Sequence, residues 1–114
     1  MTDLAARFEA ACREWQVKLG LLDWSFRFRS EAGDGTKDAE VDMDHDAREA
    51  TFTYYTDGEH AYTPERIAIH ECLHVVLVEI LEVAILRCHV EHPDVEREEH
   101  RAIERLLNVL DGRP

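Results

Sequence analysis

The stretch IAIHECLHVVLVEIL, Ile67–Leu81, decides the fold, because a strongly apolar segment here carries two histidines and a glutamate in its first half. The pattern predicts a helix over 64–87 that is apolar around most of its circumference, which is typical of a helix at the centre of its domain. Burying an unsatisfied polar group costs roughly 2–7 kcal/mol. His70 and His74 therefore need a partner that the rest of the chain must help to supply.

The segments around this helix predict a small α+β domain. Residues 3–19 have the spacing of an amphipathic helix that ends at Gly20. Alternating apolar and polar residues in 21–31, 39–46 and 48–58 predict three strands, read as an antiparallel meander whose last two strands form a hairpin. Pro93 and Asp94 begin a closing helix that Gly112 ends. We expect one domain over residues 1–114.

Composition excludes several classes of protein. The net charge is −12, from 13 basic and 25 acidic residues, so the surface repels phosphate backbones and nucleic-acid binding is disfavoured. No segment has the uninterrupted apolar length of a membrane span, and the N-terminus lacks the apolar region of a signal peptide. Only 3 cysteines are present, which fits no disulfide framework. We expect a cytoplasmic protein with no membrane partner.

His70-Glu71-Cys72-Leu73-His74 is an H-E-x-x-H motif on the predicted helix. Residues four apart lie one turn apart on the same face, so both imidazoles can reach one ion. Glu71 lies about 100° round the helix from His70, where it can reach a water on the ion. Three protein ligands holding Zn²⁺ lower the pKa of such a water, and Glu71 can accept its proton. The motif therefore predicts a zinc site with Glu71 as the catalytic base.

The alternative is that His70 and His74 are core histidines with a chance glutamate between them. The histidine face also carries Ile67, Leu77 and Val78, so it points inward. Two inward imidazoles one turn apart both need partners, and a single metal ion provides one for each. This context favours the metal over the chance motif.

A zinc site needs a third protein ligand. A histidine six residues after His74 would fall at Ile80, which excludes that arrangement. On the closing helix, the centre of the apolar stripe passes through Glu99, and a carboxylate on a buried face should be paired or bound to metal. We predict Glu99 as the third ligand and keep His100, about 100° away, as the second choice. A frayed helix start with Glu99 in solvent is the remaining alternative.

The order of elements and the segments LLDWSFRF, REATFTY, HECLH and EEHRAIERL resemble the minimal zincin domains of phage and prophage metallopeptidases. These are distant relatives of SprT-like and ImmA-like proteins, and the resemblance covers nearly the whole chain. It implies a zinc site of His70, His74 and Glu99 with Glu71 as general base. It also implies a peptide or protein substrate held along an edge strand, for which residues 50–55 are the candidate.

Two rival functions stay open. A non-catalytic protein of phage or prophage origin could use zinc to tie the two long helices together, because no donor for the oxyanion of a tetrahedral intermediate stands out among Tyr54, Tyr55, His60 and Tyr62. A metal-dependent nuclease is disfavoured by the net charge of −12. The sequence favours peptide hydrolysis.

Overall fold

The computed structural model describes residues 3–57, 61–87 and 92–110. The fold combines helices with a three-stranded sheet, which confirms the α+β class. No helix in these ranges is long and apolar enough to cross a membrane. The elements in chain order are α1 (Asp3–Lys18), β1 (Ser25–Glu31), β2 (Ala39–Asp44), β3 (Glu49–Tyr55), α2 (Pro64–Arg87) and α3 (His92–Leu110).

The sheet is mixed, so the prediction of an antiparallel meander was wrong. Its order is β1-β3-β2, with β3 parallel to β1 and antiparallel to β2. The predicted hairpin of β2 and β3 is confirmed, and Arg48 takes a positive φ of 55° in its turn. The last strand thus lies between the first two.

Burial explains why β3 is central. Ala50, Phe52 and Tyr54 on β3 are all buried, and the Phe52 ring lies 4.7 Å from Phe26 and 5.2 Å from Phe28 of β1, between ring centroids. β2 has the sequence AEVDMD, whose alternate acids suit an edge strand because charge of one sign discourages pairing between copies of the same edge. Alternation within each strand predicts which face is buried, but not the order of the strands.

The helix α2 has the predicted bounds, and its first residues set its start. The Thr63 hydroxyl accepts a hydrogen bond of 3.2 Å from the Arg66 backbone N–H, and Pro64 occupies the first helical position, where no N–H is needed. Cys72 is fully buried, and its thiol lies 3.8 Å from the carbonyl oxygen of Cys12 on α1.

α3 packs on α2 along a narrow line of apolar side chains. Ile103 and Leu107 are buried there against Ile69 and Leu73 of α2, with Trp15 of α1 and the following Leu19 at the margin. Other apolar residues of the closing helix remain exposed in the described structure, since Leu106 is 42% and Val109 is 76% exposed. The buried stripe is therefore narrower than the sequence pattern suggests.

Candidate metal centre

α2 places His70 and His74 between two apolar rows. Ile69 and Leu73 pack on α3, whereas Ile67 and Cys72 belong to the core shared with α1 and the sheet. With about 100° between successive residues, the histidines fall in the gap between these rows. Both are only partly buried, so they line an opening rather than the core itself.

His100 of α3 completes a cluster with these two residues. One ligand atom from each of His70, His74 and His100 lies within 4.8 Å of the other two, a spacing that one metal ion could bridge. The ring centroids are 5.1 Å apart for His70 and His74, and 5.3 Å apart for His74 and His100. We call these three residues the histidine cluster.

Glu99 lies beside the cluster and contacts one of its members. Its side chain is only 9% exposed, which confirms the predicted burial, and its Oε2 lies 2.7 Å from Nδ1 of His74. The contact uses Nδ1, so Nε2 of His74 is left to face an ion. The structure thus brings His100, the second choice for the third ligand, together with His70 and His74. Glu99 instead contacts the Nδ1 side of His74, where a carboxylate can orient that histidine.

A second carboxylate of α3 approaches His70. Glu104 Oε2 lies 3.4 Å from His70 Nδ1, at a position where the Glu104 side chain is 54% exposed. Burial, followed by the neighbouring His74, lowers the pKa of His70, which favours the neutral imidazole that metals bind. The sequence pattern did not single out Glu104. Its signal was the spacing of four residues from His100, which puts the two side chains one turn apart on the same face of α3.

Glu71 is a buried carboxylate that makes no hydrogen bond or ion pair within the described residues. It is 7% exposed and borders the cleft that holds the cluster. Burial, with smaller effects of Glu40, Asp38 and Glu99, raises the pKa of Glu71 to about 8. A cation beside it would favour the charged form and lower this pKa. Both the imidazoles and this carboxylate thus fit a positive ion as their common partner.

The opening in front of the cluster is a cleft of about 350 Å³, which we call the histidine cleft. One wall is the helix face with Glu71, and the other is strand β2, through Ala39, Val41 and Met43. The prediction that strand 50–55 is the edge strand at the site was wrong, because β3 is the central strand. The edge strand beside the site is β2.

The four residues considered as donors to the oxyanion lie in different places. Tyr62 lines a second cavity, of about 240 Å³, that shares His70 and Glu71 with the histidine cleft. Tyr54 is buried, and Tyr55 lies on β3. His60 lies outside the described residues.

Comparisons of the chain with protein-family models, with curated proteins and with solved structures found no match. The geometry of the histidine cluster and the residues around it is therefore the basis for inferring a function.

Proposed function

We propose that this chain is a zinc-dependent peptidase in which His70, His74 and His100 hold the metal and Glu71 is the general base. The observation that carries the proposal is a buried carboxylate without a hydrogen bond in the described structure, beside three imidazoles within reach of one ion. A zincin-like fold and a cytoplasmic location, both expected from the sequence, belong to the same proposal.

The donor set suits zinc in a catalytic site. Imidazole nitrogens are favoured zinc ligands, and catalytic sites use three protein ligands and keep one position open, whereas structural sites use four. The open position would face the histidine cleft. A bound zinc ion supplies a Lewis acid and brings the pKa of water towards neutrality.

Glu71 is in position to move the proton. Its carboxylate lies one residue from His70 and borders the histidine cleft, so a water and a peptide in that cleft would both be within its reach. It would accept a proton from the attacking water and then deliver it to the departing amine nitrogen. Burial keeps bulk water from competing for the same carboxylate.

Glu99 is given a positioning role in this proposal. Its carboxylate would accept a hydrogen bond from the Nδ1–H of His74 and so fix the tautomer that presents Nε2. Direct binding of the metal by Glu99, as predicted from the sequence, is the competing arrangement, and the two differ in what each substitution does.

Metal content distinguishes the two arrangements. We expect purified wild-type protein to hold about one zinc ion per chain by elemental analysis, His100→Ala to lose it, and Glu99→Gln to keep it with about 10- to 100-fold weaker affinity. His45→Ala, which removes a histidine from the β2–β3 turn, is the matched control and should retain the wild-type content. Full retention by His100→Ala with loss in Glu99→Gln would show that Glu99 is the ligand.

The substrate in this proposal is an extended peptide held along β2. The edge of β2 that does not pair with β3 is on the side of the histidine cleft, and added strands bind such edges through main-chain hydrogen bonds. The test is cleavage of a peptide library by zinc-loaded protein. Glu71→Gln should keep its zinc and its fold, and should lower the cleavage rate by about 10²- to 10⁴-fold.

A non-catalytic zinc-binding role is the second candidate, favoured by one observation. α3 is joined to α2 by few buried side chains, and a polar link at the other end, Arg66 Nη2 to Asn108 Oδ1, is 3.1 Å long. A metal at the histidine cluster would add a strong link between the helices. Zinc retention without any peptide cleavage by the wild-type protein would favour this role over the peptidase.

A further inference from the structure

The hydrogen-bond phase of β2 identifies the groups at its outer edge. The Tyr55 N–H donates to the carbonyl of Asp38 at 3.0 Å, in line with the antiparallel register of β2 and β3. In such a ladder, alternate residues direct both main-chain groups to the same neighbour. Glu40 and Asp42 therefore direct their main-chain N–H and C=O groups to β3, while Ala39, Val41 and Met43 direct theirs to the outer edge.

The side chains of β2 divide in the same alternation. Ala39, Val41 and Met43 line the histidine cleft and pack against the core. Asp42 shares the opposite face of the sheet with Thr51, its partner on β3, whereas Glu40, opposite Thr53, lies at the rim and also borders the cleft. The inner side of the edge is thus mainly apolar and adjoins the histidine cluster, and the outer side and rim of β2 carry its acids.

Asp42 is the acid best placed to meet a ligand. It is exposed, its partner in the register is the uncharged Thr51, and its side chain makes no hydrogen bond or ion pair with any residue of the described ranges. Glu40 is already partnered by Lys37, at 3.1 Å, and by Tyr55, and it retains part of its exposure. No basic residue lies on β2 itself, and the arginines of this face, Arg27 and Arg29, lie on β1 beyond the central strand, so Asp42 has no cation beside it.

We propose that the outer edge of β2 selects extended peptides with lysine or arginine at alternate positions, set against Asp42 and Glu40. That the bound peptide is a substrate rests on the proposed function, whereas the binding itself does not. Antiparallel addition is favoured because antiparallel pairs are slightly more stable per residue than parallel ones. The residues between the basic ones face the apolar wall and the histidine cluster, so the scissile bond adjoins an apolar side chain.

The pairing geometry strengthens this preference. The edge groups of Val41 bond the peptide directly, so the peptide residues opposite Glu40 and Asp42 stand in non-hydrogen-bonded pairs. Side chains approach most closely in such pairs, with Cα atoms about 4.5 Å apart. Opposite charges facing each other across strands stabilise the pair, and like charges destabilise it.

The test measures binding to zinc-loaded Glu71→Gln protein, so that cleavage does not consume the ligand. Three fluorescent heptapeptides are compared: TKVKVKT, TEVEVET, and TKKKVVT, which has the composition of the first without its alternation. We expect TKVKVKT to bind at least about fivefold more tightly than either of the others at low salt. The advantage should shrink in 1 M NaCl, because screening weakens exposed charge pairs.

A matched pair of substitutions separates a local contact from overall charge. Adding Asp42→Asn should reduce the preference for TKVKVKT by about threefold. Adding Glu14→Gln instead removes an equal charge from the outer face of α1 and should leave the preference unchanged. Equal effects of the two changes, equal binding of TKVKVKT and TKKKVVT, or no binding of any peptide would overturn the proposal.

The outcome is separable from that of the proposed function. Preference for alternating lysine without cleavage by the wild-type protein would support the binding edge and remove the peptidase. Cleavage of TEVEVET as fast as TKVKVKT would leave the peptidase in place and overturn the preference.

Discussion

The core between the sheet, α1 and α2 differs in kind from the junction of α2 with α3. The core contains stacked and edge-on aromatic rings, such as Phe8, Phe26 and Phe52, with apolar side chains of both helices around them. The junction has a short apolar contact around Ile103, and beside it imidazoles close enough to hold one metal ion, with carboxylates next to them. The core depends mainly on apolar burial, while the junction is the place where a bound ion could add to the contact between the helices.

Metal binding would stabilise the junction and not the core. Burial of apolar area contributes to stability whether or not a ligand is present. Ligand binding stabilises only a state that has the site formed, which here requires α3 to lie on α2. We therefore expect substitutions in the core to act independently of zinc, and removal of zinc to act mainly on α3.

The largest effect is expected from a cavity in the core. Phe52 is fully buried at the centre of the sheet, so Phe52→Ala should lower the free energy of unfolding by about 3–5 kcal/mol. Chemical denaturation monitored by circular dichroism measures it. The loss should be similar with zinc and with a chelator. Leu106→Ala, on the exposed face of α3, is the control and should change stability by at most about 0.5 kcal/mol.

Removal of zinc should have a smaller and more local effect. Zinc present at a hundredfold excess over its dissociation constant contributes about 2.7 kcal/mol to the state that binds it. With a chelator, amide hydrogen exchange should become faster in α3, while β3 keeps its protection. His74→Ala should show the fast exchange in α3 at all zinc concentrations. Equal loss of protection in β3 and α3 would show that the two regions unfold as one unit.

Sequence patterns were sufficient for the parts of the site that lie within one helix. The spacing of four residues placed His70 and His74 on one face, and the period of the closing helix predicted that Glu99 is buried. Both inferences depend only on the geometry of a single helix. That is why the structure agrees with them in detail.

The parts that involve two elements were not accessible in the same way. Which of Glu99 and His100 lies within reach of both histidines depends on how α3 is rotated and shifted against α2, and the period of α3 does not contain that information. The order of the strands likewise depends on β3 being the most buried of the three, and alternation alone cannot rank them. The sequence-based expectations and the structure thus differ mainly in how separate helices and strands are arranged relative to one another.

The smallest effect is expected from an exposed ion pair that belongs to the α1–α2 side of the comparison. Arg7 binds both carboxylate oxygens of Glu65, at 2.9 and 2.7 Å, with side chains that are 50% and 46% exposed. The hydrogen bond from Arg7 lowers the pKa of Glu65 from its ordinary value of 4.5, so the pair stabilises the fold above that pH and loses its effect as the pH falls through the lowered pKa. Solvent screening keeps the contribution below about 1 kcal/mol.

Glu65→Gln should therefore lower the free energy of unfolding slightly at pH 7, with zinc or without it, and progressively less below pH 4.5. Glu14→Gln, which breaks the single exposed contact with Lys18, is the control and should cost about 0.3–0.5 kcal/mol. A loss from Glu65→Gln that depends on zinc would show that α1 is coupled to the junction after all.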